Sequence, residues 1–258
     1  VVVADTAAEA EDAAAEMLDG RFGDASTTIL VEERITGPEA SLFALVDGVD
    51  VLFMGSAQDH KRAYDGDKGP NTGGMGAISP SPRLTDGLQQ QVMDEIVRPL
   101  ARGMADEGTP YRGILYVGLM LTGDGPQVIE FNCRLGDPEA QVILPRLRSD
   151  LVAAMLATVE GTLGHVSLRW DNRSAVTVVM AAEGYPGAYE KGSVISGTEG
   201  AEASDDVMLF HAGTKIDDAG TVTAHGGRVL AVTGLSDDAG AARAAAYAAV
   251  DSIDWPGG

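Results

Sequence analysis

Glu130, Asn132 and Arg134 stand two apart in the run Val128-Ile129-Glu130-Phe131-Asn132-Cys133-Arg134. Alternate residues of a β-strand share a face, so a carboxylate, a carboxamide and a guanidinium would project together. The carboxylate and the amide oxygen can converge on one hard cation. Mg²⁺ suits them, because it keeps several waters and completes its shell with nucleotide phosphates. Arg134 could fork onto a carboxylate or a phosphate. Ile129, Phe131 and Cys133 would then fill the core behind, which argues against Cys133 as a nucleophile. A solvated polar strand face is the plainer alternative for this motif taken alone.

The second chemical signal is Gln58 to Ala77, QDHKRAYDGDKGPNTGGMGA, with five glycines. Glycine lets backbone approach a ligand closely and leaves amide groups free to meet anionic oxygen. Lys61 and Arg62 lie just upstream and are among the few cations of the chain, so an anion pocket is expected here. A surface loop with coincidental charges is the alternative.

Both signals need elements to hold them. The spacing predicts a helix capped by Thr6 and closed at Gly20, then a strand over 27–33. A hairpin is expected from 40–47 and 50–57 across Gly48-Val49, and a long helix over 85–105. Two strands, 113–121 and 127–134, flank the turn at Gly123-Asp124-Gly125. Helices are expected to start at Asp137 and at Ser149. Short β runs follow at 174–181, 193–196, 208–215, 221–224 and 228–233, then a helix over 237–253. The change of texture places a domain boundary near residue 165, with 1–164 before it and a β-rich 165–258 after it.

The 258 residues include 39 acidic and 18 basic side chains, for a net charge of −21. Nucleic acid and anionic membranes are poor partners for such a field. The cations are 14 Arg and four Lys, whereas heat adaptation enriches Lys. A halophile's cytoplasm fits better, since molar salt screens the self-repulsion over about 3 Å. One cysteine and no long apolar run predict a soluble protein of a reducing cytoplasm. The opening Val1-Val2-Val3-Ala4 reads as a strand without an initiating Met, so a fragment is expected.

The stretches QDHKR, DGDKGPNTGGMGA, YVGLM, IEFNCRLGDPE, HAGTK and GGRVL, in that order, resemble the phosphoribosylamine–glycine ligase (glycinamide ribonucleotide synthetase) family of ATP-grasp enzymes. The resemblance runs along nearly the whole chain. It implies an α+β fold: the C-terminal portion of an ATP-grasp domain over 1–164, N-terminally incomplete, and a small β-rich domain over 165–258. It also implies that ATP phosphorylates glycine to glycyl phosphate, which 5-phosphoribosylamine then attacks to give glycinamide ribonucleotide, ADP and phosphate.

On that resemblance Glu130 and Asn132 are the ligands of Mg²⁺ or Mn²⁺. Glu32, Glu33, Arg34 and Ile35 match the adenine hinge, and Glu39 the position that holds the ribose hydroxyls. Asp59, Lys61, Arg62, Asn71, Thr72, Gly73, Gly74 and Met75 match the face toward glycine and the sugar phosphate. Arg134, Asp59 and Lys61 are the expected catalytic residues, and Arg228 a contact for the substrate phosphate. Arg34 stands where the family's hinge has an aromatic residue. The family's N-terminal domain, the first half of its ATP-grasp module and its final C-terminal segment have no counterpart here, so weak or absent activity is expected of the chain alone. A monomer is favoured. Another carboxylate–amine ligase or carboxylase of the superfamily, or a non-catalytic nucleotide-binding module, stays open at this point.

Overall fold

The computed structural model describes residues 2–66, 68–201 and 204–258. Two compact units emerge, Val1–Gly37 and Pro38–Gly258. In the first, Thr6 caps helix α1 (Ala7–Glu16) by accepting from the Glu9 amide at 3.2 Å. Glu9 in turn accepts from the amide of Asp5, the residue before the cap, at 2.7 Å, which fixes the chain's entry into the helix. A π-helical turn, Met17–Arg21, follows and contains Gly20 at φ 92°. The strand expected over 27–33 does not form, and Leu30 and Val31 are exposed. A strand needs a neighbour for its backbone groups, and no described strand lies in this unit. Residues 2–4 likewise form none, and Val1 lies outside the described residues.

Among the described residues the second unit holds twelve strands: β1 Glu39–Asp47, β2 Val51–Asp59, β3 Arg62–Tyr64, β4 Lys68–Asn71, β5 Gly76–Ser79, β6 Arg112–Thr122, β7 Gly125–Asn132, β8 Ser174–Ala181, β9 Val207–His211, β10 Thr214–Ile216, β11 Val222–Ala224 and β12 Arg228–Ser236. Eight form one sheet in the order β7-β6-β1-β2-β5-β8-β12-β9, while β3 pairs with β4 and β10 with β11. The β1–β2 hairpin turns where expected, and Asp47 holds the turn by accepting from the Val49 and Asp50 amides. Within the glycine-rich run, β3 and β4 form a small hairpin.

Helices cover both faces of the sheet. The helix expected over 85–105 consists of α2 (Asp86–Val92) and α3 (Arg98–Asp106), joined by a π-helical turn. From one face of β1, Leu42, Ala44 and Val46 pack with Val92 and Val97. From the other, Phe43 and Leu45 pack with Ile143 of α4 (Ala140–Ile143) and with Ala154 and Ala157 of α5 (Leu151–Glu160). The short α6 (Thr198–Ala201) and α7 (Ala239–Val250) complete the C-terminal part, where Leu230, Val232, Ala249 and Trp255 share a core. No helix among the described residues is long and apolar enough to cross a membrane.

Several boundaries move. Asp150, not Ser149, caps α5, accepting from the Val152 and Ala153 amides, while Ser149 Oγ takes the Arg169 amide. Helix α4 starts at Ala140, since Asp137 is turned to Arg228 instead of capping it. The run 193–196 makes only isolated bridges to Thr223 and Asp254. Pairing of β5 with β8 joins strands from both sides of residue 165 in one sheet.

Candidate functional site

Three neighbouring strands build the site. Their register sets Ser41, Gly118 and Glu130 in one row, and Phe43, Tyr116 and Asn132 in the next row on the same face. Asn132 Nδ2 donates to Glu130 Oε1 at 3.0 Å, so the acid and the carboxamide meet as the alternation predicts. Gly118 makes room for them, because a Cβ there would stand 3.2 Å from Glu130 Cγ. Beneath the pair, Ser41 Oγ donates to the Tyr116 hydroxyl at 3.0 Å. A cleft runs between Glu39, Ser41, Lys61, Tyr116, Gly118 and Glu130.

Three expectations about this strand fail. β7 ends at Asn132, so Arg134 lies past the strand in a bend and donates to Leu135 O at 2.8 Å. Ile129 and Phe131 are 38% and 40% exposed, and Cys133 is exposed as well. The cause is positional: β7 is an edge strand, and Ile129 is the extra residue between the pairs Gly118–Glu130 and Leu119–Val128. A bulge of this kind breaks the inward–outward alternation.

Lys61 sits at the other wall. Its Nζ donates to Glu39 Oε2 at 2.6 Å and lies 3.8 Å from Asp59 Oδ2. Burial opposes the Lys61 charge, but the Asp59 and Glu39 carboxylates outweigh it and raise its pKa. The Asp59 side chain is only 7% exposed. Burial raises its pKa, against the pull of Lys61 and with the push of Glu39. Nothing in the local sequence announces a third carboxylate, Glu139, which burial and then Asp59 raise to about 7.

The glycine segment is tied to this wall. Thr72 donates to Lys61 O from both its amide and its hydroxyl, each at 2.8 Å, and the Met75 amide donates to His60 O at 2.7 Å. Its carbonyls face a distant residue: Arg228 Nη1 reaches Gly73 O at 2.8 Å and Gly74 O at 3.3 Å. The Gly73 amide donates to the Tyr185 hydroxyl at 3.0 Å. Arg62, on β3 opposite Asn71, spends its guanidinium on Gly69 O at 2.8 Å.

The structure thus brings together Glu39, Asp59, Lys61, Glu130 and Asn132, and joins Thr72 to Met75 with Arg228. Glu32, Glu33, Arg34 and Ile35 belong to the first unit, where Arg34 donates to Ala4 O at 3.3 Å and pairs with Asp5. The donor set on β7 fits a hard divalent cation: one carboxylate and one amide side by side on a solvent-facing edge strand, where water can complete the shell. No group of three or more His, Cys, Asp or Glu side chains gathers for a metal among the described residues.

Residues 1–140 match the family model of the phosphoribosylglycinamide synthetase ATP-grasp (A) domain, and residues 175–258 that of the C domain. The chain is 53% identical to a phosphoribosylamine–glycine ligase of Mesorhizobium japonicum and 52% identical to one of Brucella melitensis. Each alignment takes in the whole of this chain and 60% of the relative, so the chain spans less than two thirds of their length. A crystal structure of phosphoribosylamine–glycine ligase from Thermotoga maritima superposes with a TM-score of 0.78 at 35% identity, over 88% of this chain and 55% of that one. The biotin carboxylase domain of a thermophilic 2-oxoglutarate carboxylase shares the fold, with a TM-score of 0.65 at 16% identity over 95% of this chain and 53% of its own. The fold is ATP-grasp, and the chain belongs to the phosphoribosylglycinamide synthetase family.

Proposed function

We propose that this chain is part of an ATP-dependent ligase that joins glycine to 5-phosphoribosylamine through glycyl phosphate, releasing ADP and phosphate. The observation that carries the reading is the Glu130–Asn132 pair on a cleft whose far wall is Lys61, in a chain of this family. Glu130 and Asn132 would hold Mg²⁺ or Mn²⁺, which neutralises charge on the phosphoryl group being transferred. No side-chain nucleophile is required. The chain's own residues bind and orient the reactants.

Lys61 and Arg134 supply positive charge in a strongly acidic protein, the first positioned by Asp59 and Glu39. Asn71 and Thr72 to Met75 would meet glycine and the sugar phosphate, with Arg62 at the edge; the Thr72 to Met75 amides are all spent within the protein, so they would have to exchange those bonds to do so. Arg228 reaches the substrate phosphate only if it exchanges bonds it now makes to Gly73 and Gly74. Glu32 to Ile35 would meet the adenine. Glu39 would share itself between Lys61 and the ribose hydroxyls.

The division into an ATP-grasp part, 1–164, and a C-terminal part, 165–258, belongs to the same reading. So does a monomeric enzyme working on small molecules in a salt-rich cytoplasm. The test is ADP release that depends on both glycine and 5-phosphoribosylamine, measured at molar KCl on the chain and on an enzyme of its relatives' full length that contains it. Release by the longer enzyme with glycine but not with other small carboxylates supports the reading. ATP binding without any carboxylate-dependent release would sink it.

A further inference from the structure

Tyr116 and Ser41 are 6% and 2% exposed, yet both line the cleft between Lys61 and Glu130. Register sets Tyr116 in the row of Phe43 and Asn132, but its side chain leans over the neighbouring row of Ser41, Gly118 and Glu130. There its hydroxyl meets Ser41 Oγ at 3.0 Å. A Cβ on Gly118 would stand 3.3 Å from Tyr116 Cε1 and 3.2 Å from Glu130 Cγ, so the ring and the acid flank the same glycine. Phe43 packs edge to face on the Tyr116 ring, with centroids 5.0 Å apart, and fixes it there.

Two hydroxyls bring two protons, and the bond between them uses one. Among the described residues neither hydroxyl has a second partner, so one buried donor is left over. Phenylalanine beside alanine would pack without the cost of an unpaired donor. Burial raises the Tyr116 pKa, so the phenol keeps its proton. The other donor that lines the cleft is Lys61, whose Nζ is already held by Glu39 at 2.6 Å. Glu130 has the matching need. Asn132 Nδ2 donates to Glu130 Oε1, but a cation can take only the amide oxygen of Asn132. Loading the site therefore withdraws that donor from the acid.

We propose that the Tyr116 hydroxyl, guided by Ser41, is the donor that then holds the Glu130 carboxylate in place for the cation. The inference rests on the cation site of the reading above. Tyr116 is a positioning residue, acting on the cation through Glu130. A ligating carboxylate that accepts such a bond is fixed in direction, and loss of the partner costs roughly 10–100-fold in metal affinity.

The test is Mn²⁺ affinity in the presence of nucleotide, read by electron paramagnetic resonance on an enzyme of the relatives' full length that contains this chain. Tyr116→Phe removes the hydroxyl and keeps the ring against Phe43 and Gly118. It should weaken Mn²⁺ binding about tenfold, while nucleotide affinity measured without metal stays within about twofold. In a Glu130→Ala background the same substitution should change Mn²⁺ affinity by less than about twofold, since its target is gone. A loss below about threefold in the single variant overturns the proposal. So does a loss that persists in full beside Glu130→Ala, the mark of a tyrosine that only supports the fold. An equal loss of metal-free nucleotide affinity also overturns it and gives the hydroxyl to the nucleotide. Should Tyr116→Phe fail to fold by circular dichroism, Ser41→Ala is read instead, because it frees the hydroxyl from its guide. A loss of about threefold that vanishes beside Glu130→Ala then supports the role, and unchanged affinity overturns it. A wild type that binds no Mn²⁺ with nucleotide would instead bring down the cation site itself, and this inference with it.

Discussion

Arg228 Nη2 donates to Asp137 Oδ2 at 3.0 Å while Nη1 reaches Asp137 O and Gly73 O, each at 2.8 Å. One guanidinium on β12 thereby fastens the glycine segment to the turn that delivers Glu139. Planar bidentate geometry of this kind is a property of arginine and not of lysine. Arg228→Ala should cost about 1 kcal/mol of stability, since it removes the donor shared by Gly73, Gly74 and Asp137, of which the Gly74 bond is half-buried and the others exposed. Arg228→Lys should recover less than half of it. Urea unfolding of the 258-residue chain measures both, and unchanged midpoints would mean these bonds do not persist in solution.

Glu130→Ala tests the cation site directly. Glu130 lies on an edge strand and is exposed, so its removal should change stability by no more than about 0.5 kcal/mol. Affinity for Mn²⁺ in the presence of nucleotide, read by electron paramagnetic resonance, should drop at least about tenfold as one of two protein ligands is lost. Asn132→Ala should behave alike. Binding that survives both substitutions would move the cation elsewhere.

Much of this site was legible because it depends on short-range rules. Period-two spacing put Glu130 and Asn132 on one face, and the turn at Gly48 paired β1 with β2. The errors arose where a third body decided the outcome. Ile129 escaped the core because a bulge in the β6–β7 pairing added one residue on its strand, and no local pattern encodes a bulge. Residues 27–33 have strand-forming side chains yet lack a neighbour to pair with. Glu139 is 80 positions from Asp59, and only the folded chain brings the two carboxylates near enough for one charge to act on the other. Its sequence context, Asp137-Pro138-Glu139, reads as an ordinary helix start.

Gly74 is a position where two constraints coincide. Its φ is +112°, and a Cβ would lie 2.5 Å from Pro138 Cδ. Gly74→Ala should therefore destabilise by about 1–3 kcal/mol, combining backbone strain with displacement of the Arg228-bound turn. Paired with Arg228→Ala, the two losses should fall short of their sum, since both act on one contact. Full additivity in a double-mutant cycle would show that the segment and the turn are independent.

The charge of −21 makes a statement about solvent. Self-repulsion weakens the folded state at low ionic strength and is screened as the Debye length shrinks to about 3 Å at 1 M salt. The urea midpoint should rise steadily from about 0.1 M to 2 M KCl. Sucrose, which strengthens burial without screening charge, separates the two effects. A midpoint indifferent to KCl would remove the argument for a salt-rich cytoplasm.

The Glu139 carboxyl also makes a prediction about stability that needs no substrate. In the folded chain it keeps its proton up to about pH 7, whereas its ordinary value is 4.5. Between these values the native state binds more protons than the unfolded one, so stability falls as pH rises. The contribution is present in full below about pH 4.5 and is lost as pH passes through 7. Glutamine has no proton to lose, and Glu139→Gln should therefore be more stable than the wild type at pH 8, by at most about 3 kcal/mol. The two curves should converge near pH 4, where the acid is neutral in both states. Curves that stay parallel from pH 4 to 8 would show that Glu139 ionises like a surface carboxylate, whatever its depth in the fold.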